Sequence, residues 1–385
     1  MNDSPERAVV LLGVGHTNAF VVRQWARAAI PNCRLICISK FPFTTYSGML
    51  PGTLAGQFTP AEMQIPLEPL VARAGGELIL GDVTGLDLEQ KQVQFADRSP
   101  LRFDLLSVGV GSMPAGWDAV DSATVLPIKP MQTFVQRLDE RLLAVQDQPS
   151  SATKQPLRIA IVGGGVAGIE IALCLAARLR HRFPDVAAEL RIFTSTPEIA
   201  EGMTDKSILM LRRLLQQHGV DIHTGARVFS VEDHQLTISG GQRFKADCVI
   251  WATGAAAPPV LRQLGLPTDE RGFVATKTTL QSTERNDVFA VGDSGTIVDN
   301  PTPKAGVFAV RQAPVLWQNI QNQLAGEPLV SYHPQRGFMK ILNTGDGKAL
   351  LEYKGLSFHG RWCWSLKAWI DKRFIKHYQI AGENL

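Results

Sequence analysis

Residues 158–175 read RIAIVGGGVAGIEIALCL. Arg158–Val162 has the composition of a short buried strand. Gly163, Gly165 and Gly168 follow in G-x-G-x-x-G spacing, and an apolar helix-like run comes after them. Each glycine in this order has a separate physical job. The first permits a tight turn, the second lets backbone approach a pyrophosphate, and the third lets helix pack on strand. The helix start, at Val166 and Ala167, offers free N–H groups and the positive end of its dipole to phosphate. The alternative is a glycine-rich turn in an ordinary α/β domain, but a fingerprint set between a strand and a helix is the stronger form of the signal.

A second such turn lies near the start of the chain. Residues 8–12, AVVLL, form a strand ahead of Gly13-Val14-Gly15-His16-Thr17-Asn18, and a helix-like run extends to about Ala29. Asn18 stands where the third glycine belongs, so either helix and strand sit farther apart or Asn18 bonds locally. His16 falls at the helix start facing phosphate, as a neutral donor or spacer. Leu35–Ser39 is the next strand, and its end should carry an acid for ribose hydroxyls. Ser39 and Lys40 stand there instead. The serine hydroxyl could substitute weakly, and Lys40 either meets a phosphate or is a solvated surface charge.

Residues 41–60, FPFTTYSGMLPGTLAGQFTP, are too irregular for one regular element and read as a ligand-touching loop. Glu77–Leu80 and Asp82–Thr84 are expected to form a strand pair. Phe103–Val108 is a strand ending in Gly109-Val110-Gly111-Ser112, and residues 127–142 are an amphipathic helix after a proline start. Residues 145–156 read as a polar linker. The nucleotide pattern then repeats: strand Leu190–Phe193, a helix over 204–217, and strands Val220–His223 and Ala246–Trp251, the last entering Ala252-Thr253-Gly254. Asn286–Val291 is a strand entering Gly292-Asp293-Ser294, and Pro303–Asn322 is a turn followed by an apolar-rich helix.

The fold class expected is α/β, with two Rossmann-like dinucleotide-binding domains, the second inserted into the first, and a small C-terminal α+β segment. Residues 1–120 and 282–330 make the first domain, 121–155 a helix and linker, 156–281 the second domain, and 331–385 the C-terminal segment.

Composition sets the outer limits. In 385 residues, 45% are hydrophobic, enough for more than one core. A net charge of +3 exerts no global pull toward nucleic acid. The five cysteines, Cys33, Cys37, Cys174, Cys248 and Cys363, contain no C-x-x-C pair, which points to reduced thiols in a cytoplasmic protein. The first residues show no signal peptide, and no apolar run reaches ~18 residues. The histidines show no H-x-x-x-H or H-E-x-x-H spacing, so no metal site is expected.

Taken together, the turns at Gly13 and Gly163, the strand ends Ser107-Val108-Gly109 and Ala252-Thr253-Gly254, and Val291-Gly292-Asp293 resemble the two-dinucleotide flavoproteins of the pyridine nucleotide–disulfide oxidoreductase superfamily over about residues 8–325. The resemblance implies that the first unit binds FAD and the second NAD(P)H, with Asp293 at the ribityl and phosphate region of the flavin. The superfamily's disulfide branch has two cysteines where residues 43–52 lie. None is present here, so electrons leave the flavin by another route. Phe43–Pro51 and the Ile128-Lys129 helix start look like type II NADH:quinone dehydrogenases. Tyr46–Gly52, Gly13–Thr17 and Pro303–Gln312 resemble more closely the flavoprotein domain fused ahead of selenide, water dikinase, a resemblance that implies no kinase chemistry here.

The cofactor contacts so implied add Tyr46, Ser47, Met49, Leu50, Pro51, Val83, Gly109, Lys129, Gly292, Lys304, Ala305, Gly306 and Val307 to the two turns, with Gly254 in the second unit. The quinone dehydrogenases carry a glutamine at the start of the stretch matching Ala305–Gln312. It is absent here, which weakens a quinone acceptor without removing it. Glu170 follows the central glycines as G-I-E. The resemblance points it at the flavin–nicotinamide face, where it can orient the nicotinamide or handle a proton. The alternative is a first-turn glutamate favoured by the helix dipole. After Leu190–Phe193, Thr194-Ser195-Thr196 occupy the place of the ribose acid, with Glu198 slightly beyond and no arginine until Arg212. Neither the NAD acid nor the NADP arginine is in its usual position.

The last segment carries RWCWSLKAWIDKRFIKHY, residues 361–378. Trp362, Leu366, Trp369, Ile370, Phe374 and Tyr378 fall at helical spacing, with Lys367, Asp371, Lys372 and Lys376 on the other faces. Such a basic amphipathic helix lies in a membrane interface, covers its own domain or forms a homodimer contact. Packing is the expected outcome. The functional expectation is an FAD-dependent NAD(P)H oxidoreductase that passes electrons to a quinone or other small acceptor. The alternatives are a quinone dehydrogenase on the membrane surface, or a flavin-binding redox-sensing protein.

Overall fold

Two five-stranded parallel sheets, each built around one glycine turn, carry the molecule. The structure is a computed structural model and describes residues 6–118, 120, 123–146 and 156–379. The first sheet runs Val288–Ala290, Leu105–Val108, Arg7–Leu12, Cys33–Ser39, Glu77–Leu80. The second runs Val125–Pro127, Cys248–Trp251, Leu157–Val162, Ala188–Phe193, Val220–His223. Every neighbouring pair in both is parallel. The strands leading to the turns sit centrally and are covered on both faces, which is why they read as unbroken apolar runs. Because Val288–Ala290 returns to the first sheet after the second is complete, the second unit is inserted into the first.

The two units share one core. It runs from Val9 and Leu11 through Met49 and Leu54 to Ile159, Ile161 and the helix Val166–Arg182, where Ile169 to Leu179 are buried almost without interruption. The C-terminal segment adds a three-stranded antiparallel sheet, Lys340–Asn343, Ala349–Tyr353 and Leu356–Gly360, and the helix Arg361–Lys376.

Several expectations need correction. The first helix is His16–Trp25 and stops short of Ala29. Pro31 disfavours a helical conformation in the residue before it, so the chain is already turning. Glu77–Leu80 and the next strand do not pair with each other. Glu77–Leu80 closes the edge of the first sheet beside Cys33–Ser39, while Val83–Asp87 pairs antiparallel with Gln92–Phe95 in a separate small sheet. Pro127 ends an edge strand, where its missing N–H is tolerated, and the helix begins only at Met131 and runs to Gln146. Of the linker expected at 145–156, Val145 and Gln146 are helical and residues 147–155 lie outside the described residues. The loop at 41–60 contains a short strand, Phe43–Thr45, and a helical turn, Leu50–Leu54, with Pro51 in its first turn where no N–H is needed.

The largest correction concerns the C-terminal helix. It packs on the protein as expected, through Cys363, Lys367, Asp371 and Ile375 together with Phe374 and Tyr378 of the apolar stripe, while the two tryptophans of that stripe stay outside. Trp362 and Trp369 are 54% and 56% exposed. Lys367 and Asp371 can be buried because they pair at 3.1 Å across one helical turn. The Lys367 ammonium also donates to the Gly48 carbonyl at 2.9 Å.

Candidate functional site

At the first turn Gly13 has φ +80°, and a Cβ there would come within 2.6 Å of the Gly109 carbonyl. Strand end and turn therefore touch backbone to backbone. Asn18 bonds locally. Its Nδ2 donates to Gly13 O at 2.7 Å, and its Oδ1 accepts from Ser107 Oγ at 2.7 Å. Thr17 Oγ1 donates to Ala309 O at 2.8 Å, tying the turn to the helix Gly306–Ala325. The helix that follows Gly15 has no side-chain cap. Its first N–H groups are left for an outside acceptor, as an anion site requires.

The second turn is tighter. A Cβ on Gly163 would collide with the Ala252 carbonyl, and one on Gly168 with the Gly163 carbonyl. Around Gly165 there is open space, and this helix also lacks a side-chain cap. A close backbone packing under an open, uncapped helix start is the geometry a pyrophosphate fits.

Gly292-Asp293-Ser294 returns beside the first turn. Gly111 N–H donates to Ser294 Oγ at 2.9 Å, and Gly292 N–H to Gln312 Oε1 at 2.6 Å. Ser112 Oγ donates to Asp293 Oδ2 at 2.6 Å while receiving the Lys129 ammonium, also at 2.6 Å. Lys129 lies 3.4 Å from Asp293. Thus Gly109, Lys129, Gly292 and Asp293 are brought together with Gly13, Gly15, His16, Thr17 and Asn18. His16 packs against Tyr46 and Phe374, with ring centroids 5.4 and 5.8 Å away. Burial, partly opposed by the charge of Asp293, pulls it down to about 4, so it is neutral. Its Nε2 is buried with no partner among the described residues.

The segments 46–51 and 304–307 meet: a Cβ on Gly306 would lie 3.5 Å from Ser47 Oγ. Ala305 precedes an uncapped helix start at Gly306 and Val307. Tyr46 stacks on Phe374 at 4.3 Å. Met49, Leu50 and Pro51 are buried in the shared core. Lys304 donates to Gly295 O and Thr296 Oγ1 at 2.7 and 2.8 Å, and burial lowers it to about 8. Ser39 ends the strand beside the first turn, where the Gly13 N–H donates to the Ile38 carbonyl at 2.8 Å. Ser39 Oγ is spent on Phe41 O, and Lys40 pairs with Asp82 at 2.9 Å, both side chains well exposed. Val83 packs against a face of the first sheet, two residues after Gly81, whose N–H donates to the Ser39 carbonyl at 3.0 Å.

In the second unit Glu170 meets partners that sequence reading does not anticipate. Its Oε1 accepts from the Asn343 N–H at 2.7 Å, and Asn343 Nδ2 donates to Gln57 Oε1 at 2.6 Å. Burial raises the Glu170 carboxyl to about 7, against the opposing charge of Lys367. Lys367 is itself held charged: burial pulls it down, but the carboxylates of Glu170 and Asp371 raise it further. A buried acid and a buried ammonium thus lie between the second nucleotide unit and the C-terminal helix. Asn343, Gln57 and Lys367 have no sequence motif. An i, i+4 Lys–Asp pair inside a tryptophan-rich run is the only signal that could have flagged Lys367. No metal-holding group of His, Cys, Asp and Glu occurs among the described residues, and none of their helices is long and apolar enough to cross a membrane.

Residues 9–323 match the family described as pyridine nucleotide-disulphide oxidoreductase. The NADH dehydrogenase-like protein YutJ of Bacillus subtilis is 24% identical over 89% of this chain and 91% of its own. Demethylphylloquinone reductase NdbB of Synechocystis is 28% identical over 78% of this chain and 74% of its own. Among solved structures, NDH2 from Plasmodium falciparum in complex with NADH superposes with a TM-score of 0.80 at 13% identity, covering 97% of both chains. The chain belongs to the pyridine nucleotide-disulphide oxidoreductase family, and it is an FAD-dependent NAD(P)H oxidoreductase.

Proposed function

We propose that the protein passes electrons from NAD(P)H through FAD to a quinone at a membrane surface. The observation that carries this reading is the buried Glu170–Lys367 neighbourhood, together with the absence of any cysteine between residues 41 and 60. Without a thiol pair beside the flavin, electrons would leave to an acceptor from outside the protein, and a small quinone is the acceptor this reading takes. Two relatives are named for such acceptors, demethylphylloquinone reductase of Synechocystis and type II NADH:quinone oxidoreductase of Haemophilus influenzae.

FAD would be held by the Gly13–Asn18 turn, with Asp293 accepting from its ribityl hydroxyls and the N–H groups at Gly306 and Val307 meeting the ring's polar edge. The Gly163–Gly168 turn and Gly254 would hold the coenzyme. When bound, the flavin supplies the conversion of a two-electron hydride donor to an electron donor for the acceptor. Glu170, at about 7, exchanges a proton readily at neutral pH, which quinone reduction requires. Lys367 keeps a positive charge beside it. The helix Arg361–Lys376 supplies the membrane contact. Leu356, Phe358, Trp362 and Trp369 are exposed, and Arg361, Lys372, Arg373 and Lys376 rim them. A homodimer through the same face is the second reading, favoured by the same exposed aromatics.

Steady-state NADH oxidation with a short-chain quinone, with and without anionic vesicles, tests the proposal. Turnover with the quinone, and sedimentation of the protein with the vesicles, are expected. Turnover only with a dithiol or protein acceptor would overturn it.

A further inference from the structure

The adenosine end of the second nucleotide unit departs from the usual arrangement, and the departure has a defined geometry. In such units the strand next to the glycine-bearing one ends in an acid that takes the ribose hydroxyls, or has an arginine nearby for a 2′-phosphate. Here that strand is Ala188–Phe193, and Phe193 pairs with Val162, the residue before Gly163. Thr194, Ser195 and Thr196 follow, with no acid. The hydroxyls of Thr194 and Thr196 face each other at 2.8 Å, and Thr196 donates to the Glu198 carbonyl at 2.6 Å.

The segment is anchored to the glycine turn at both ends. A Cβ on Gly164 would lie 2.6 Å from Cβ of Thr194. The Ala200 N–H donates to the Gly164 carbonyl at 2.7 Å. Residues 195–198 arch between these anchors, and Glu198 carries the arch's one carboxylate. Its Oε1 takes Ile199 N–H at 2.7 Å and the Arg212 guanidinium at 2.9 and 2.6 Å. Oε2 receives no hydrogen bond among the described residues. Both side chains are part-exposed, 42% for Glu198 and 38% for Arg212. A carboxylate with one oxygen to spare and a guanidinium thus stand side by side, next to the turn.

We infer that Glu198 and Arg212 together set the coenzyme preference: Glu198 Oε2 accepts the 2′-hydroxyl of NADH, Arg212 takes the 2′-phosphate of NADPH, and the enzyme uses both. This rests on the reading that the Gly163–Gly168 turn holds the coenzyme. An ionised carboxylate is a strong acceptor for a ribose hydroxyl and repels a 2′-phosphate, while a guanidinium matches that phosphate's oxygens with a fork of donors. With the two charges adjacent, neither coenzyme is excluded outright, and specificity is their difference.

The test uses the FAD-loaded enzyme and two variants, Glu198→Gln and Arg212→Gln. Calorimetric Kd values for ADP-ribose and 2′-phospho-ADP-ribose are measured beside kcat/KM for NADH and NADPH. Glu198→Gln should move the preference toward the phosphorylated ligand by about tenfold or more. Arg212→Gln should move it by a similar factor the other way. Opposite movements cannot come from a general loss of folding. Ratios that move in the same direction in both variants, or stay within twofold, would overturn the inference. A parent enzyme that keeps FAD but binds neither ADP-ribose compound would overturn the coenzyme assignment of the turn itself, and the inference with it.

Discussion

Asn18→Ala measures how the first nucleotide turn is held together without its third glycine. The side chain is fully buried. It donates to the carbonyls of Gly13 and Ser107 at 2.7 and 3.3 Å and accepts from the Ser107 hydroxyl at 2.7 Å. Truncation leaves the Gly13 carbonyl and the Ser107 hydroxyl buried without this partner, each costing ~1–3 kcal/mol, and adds a small cavity. The expected loss is about 3–4 kcal/mol. Ser107→Ala alone orphans only Asn18 Oδ1 and should cost about 1–2 kcal/mol. The double variant should cost less than the two together by about 1–2 kcal/mol, because the groups are in direct contact. Urea unfolding of the four flavin-loaded proteins, followed by tryptophan fluorescence and by flavin release, gives the cycle. FAD retention should weaken in Asn18→Ala more than in Ser107→Ala, since only the former frees the Gly13 carbonyl. Asn18→Gly restores the fingerprint but not the bonds, and should be no more stable than the alanine variant. Effects that add within about 0.5 kcal/mol, or a glycine that outperforms asparagine, would refute the reasoning.

Asp293→Ala removes a charged acceptor from the Ser112–Lys129 cluster. It should weaken FAD binding by about 1.5–3 kcal/mol, read as flavin loss on dilution. Glu170 is raised from 4.5 to about 7, so the folded state holds its proton to higher pH than the unfolded chain does. The stability this contributes is complete below 4.5 and is lost as pH rises through about 7. Glu170→Gln should therefore flatten the fall in stability across that window, on the order of 3 kcal/mol, and remove the neutral-pH limb of turnover. In vesicle co-sedimentation, Trp362→Glu with Trp369→Glu should abolish binding to anionic lipid and barely move the melting temperature, because both side chains are already in water. A large loss of stability would show that they pack.

The parts of the fold that were legible in the sequence are the local ones. Both strand–turn–helix units announce themselves because the glycines, the preceding apolar run and the following helix lie within about twenty residues of each other. The G-D return at Gly292-Asp293 is short and distinctive in the same way. What depends on distant partners was not legible. Glu77–Leu80 could not reveal that it would fill a sheet edge and not pair with its neighbour. Glu170 gave no sign that its hydrogen-bond partner would be Asn343, which arrives only with the C-terminal sheet. The C-terminal helix misleads because side-chain polarity usually decides which face is buried. Here Lys367 and Asp371 neutralise one another, and that lets this one charged pair go inward while Trp362 and Trp369 stay out. Lys40 and Ser39 were ambiguous for a related reason: their partners, Asp82 and the Phe41 carbonyl, are set by how the loops fold.

The most direct measurement is the visible spectrum of the purified protein under anaerobic conditions. The account predicts a yellow protein whose bound flavin bleaches when NADH is added, and recovers its colour when a short-chain quinone follows. A flavin that stays oxidised in the presence of both NADH and NADPH would contradict it.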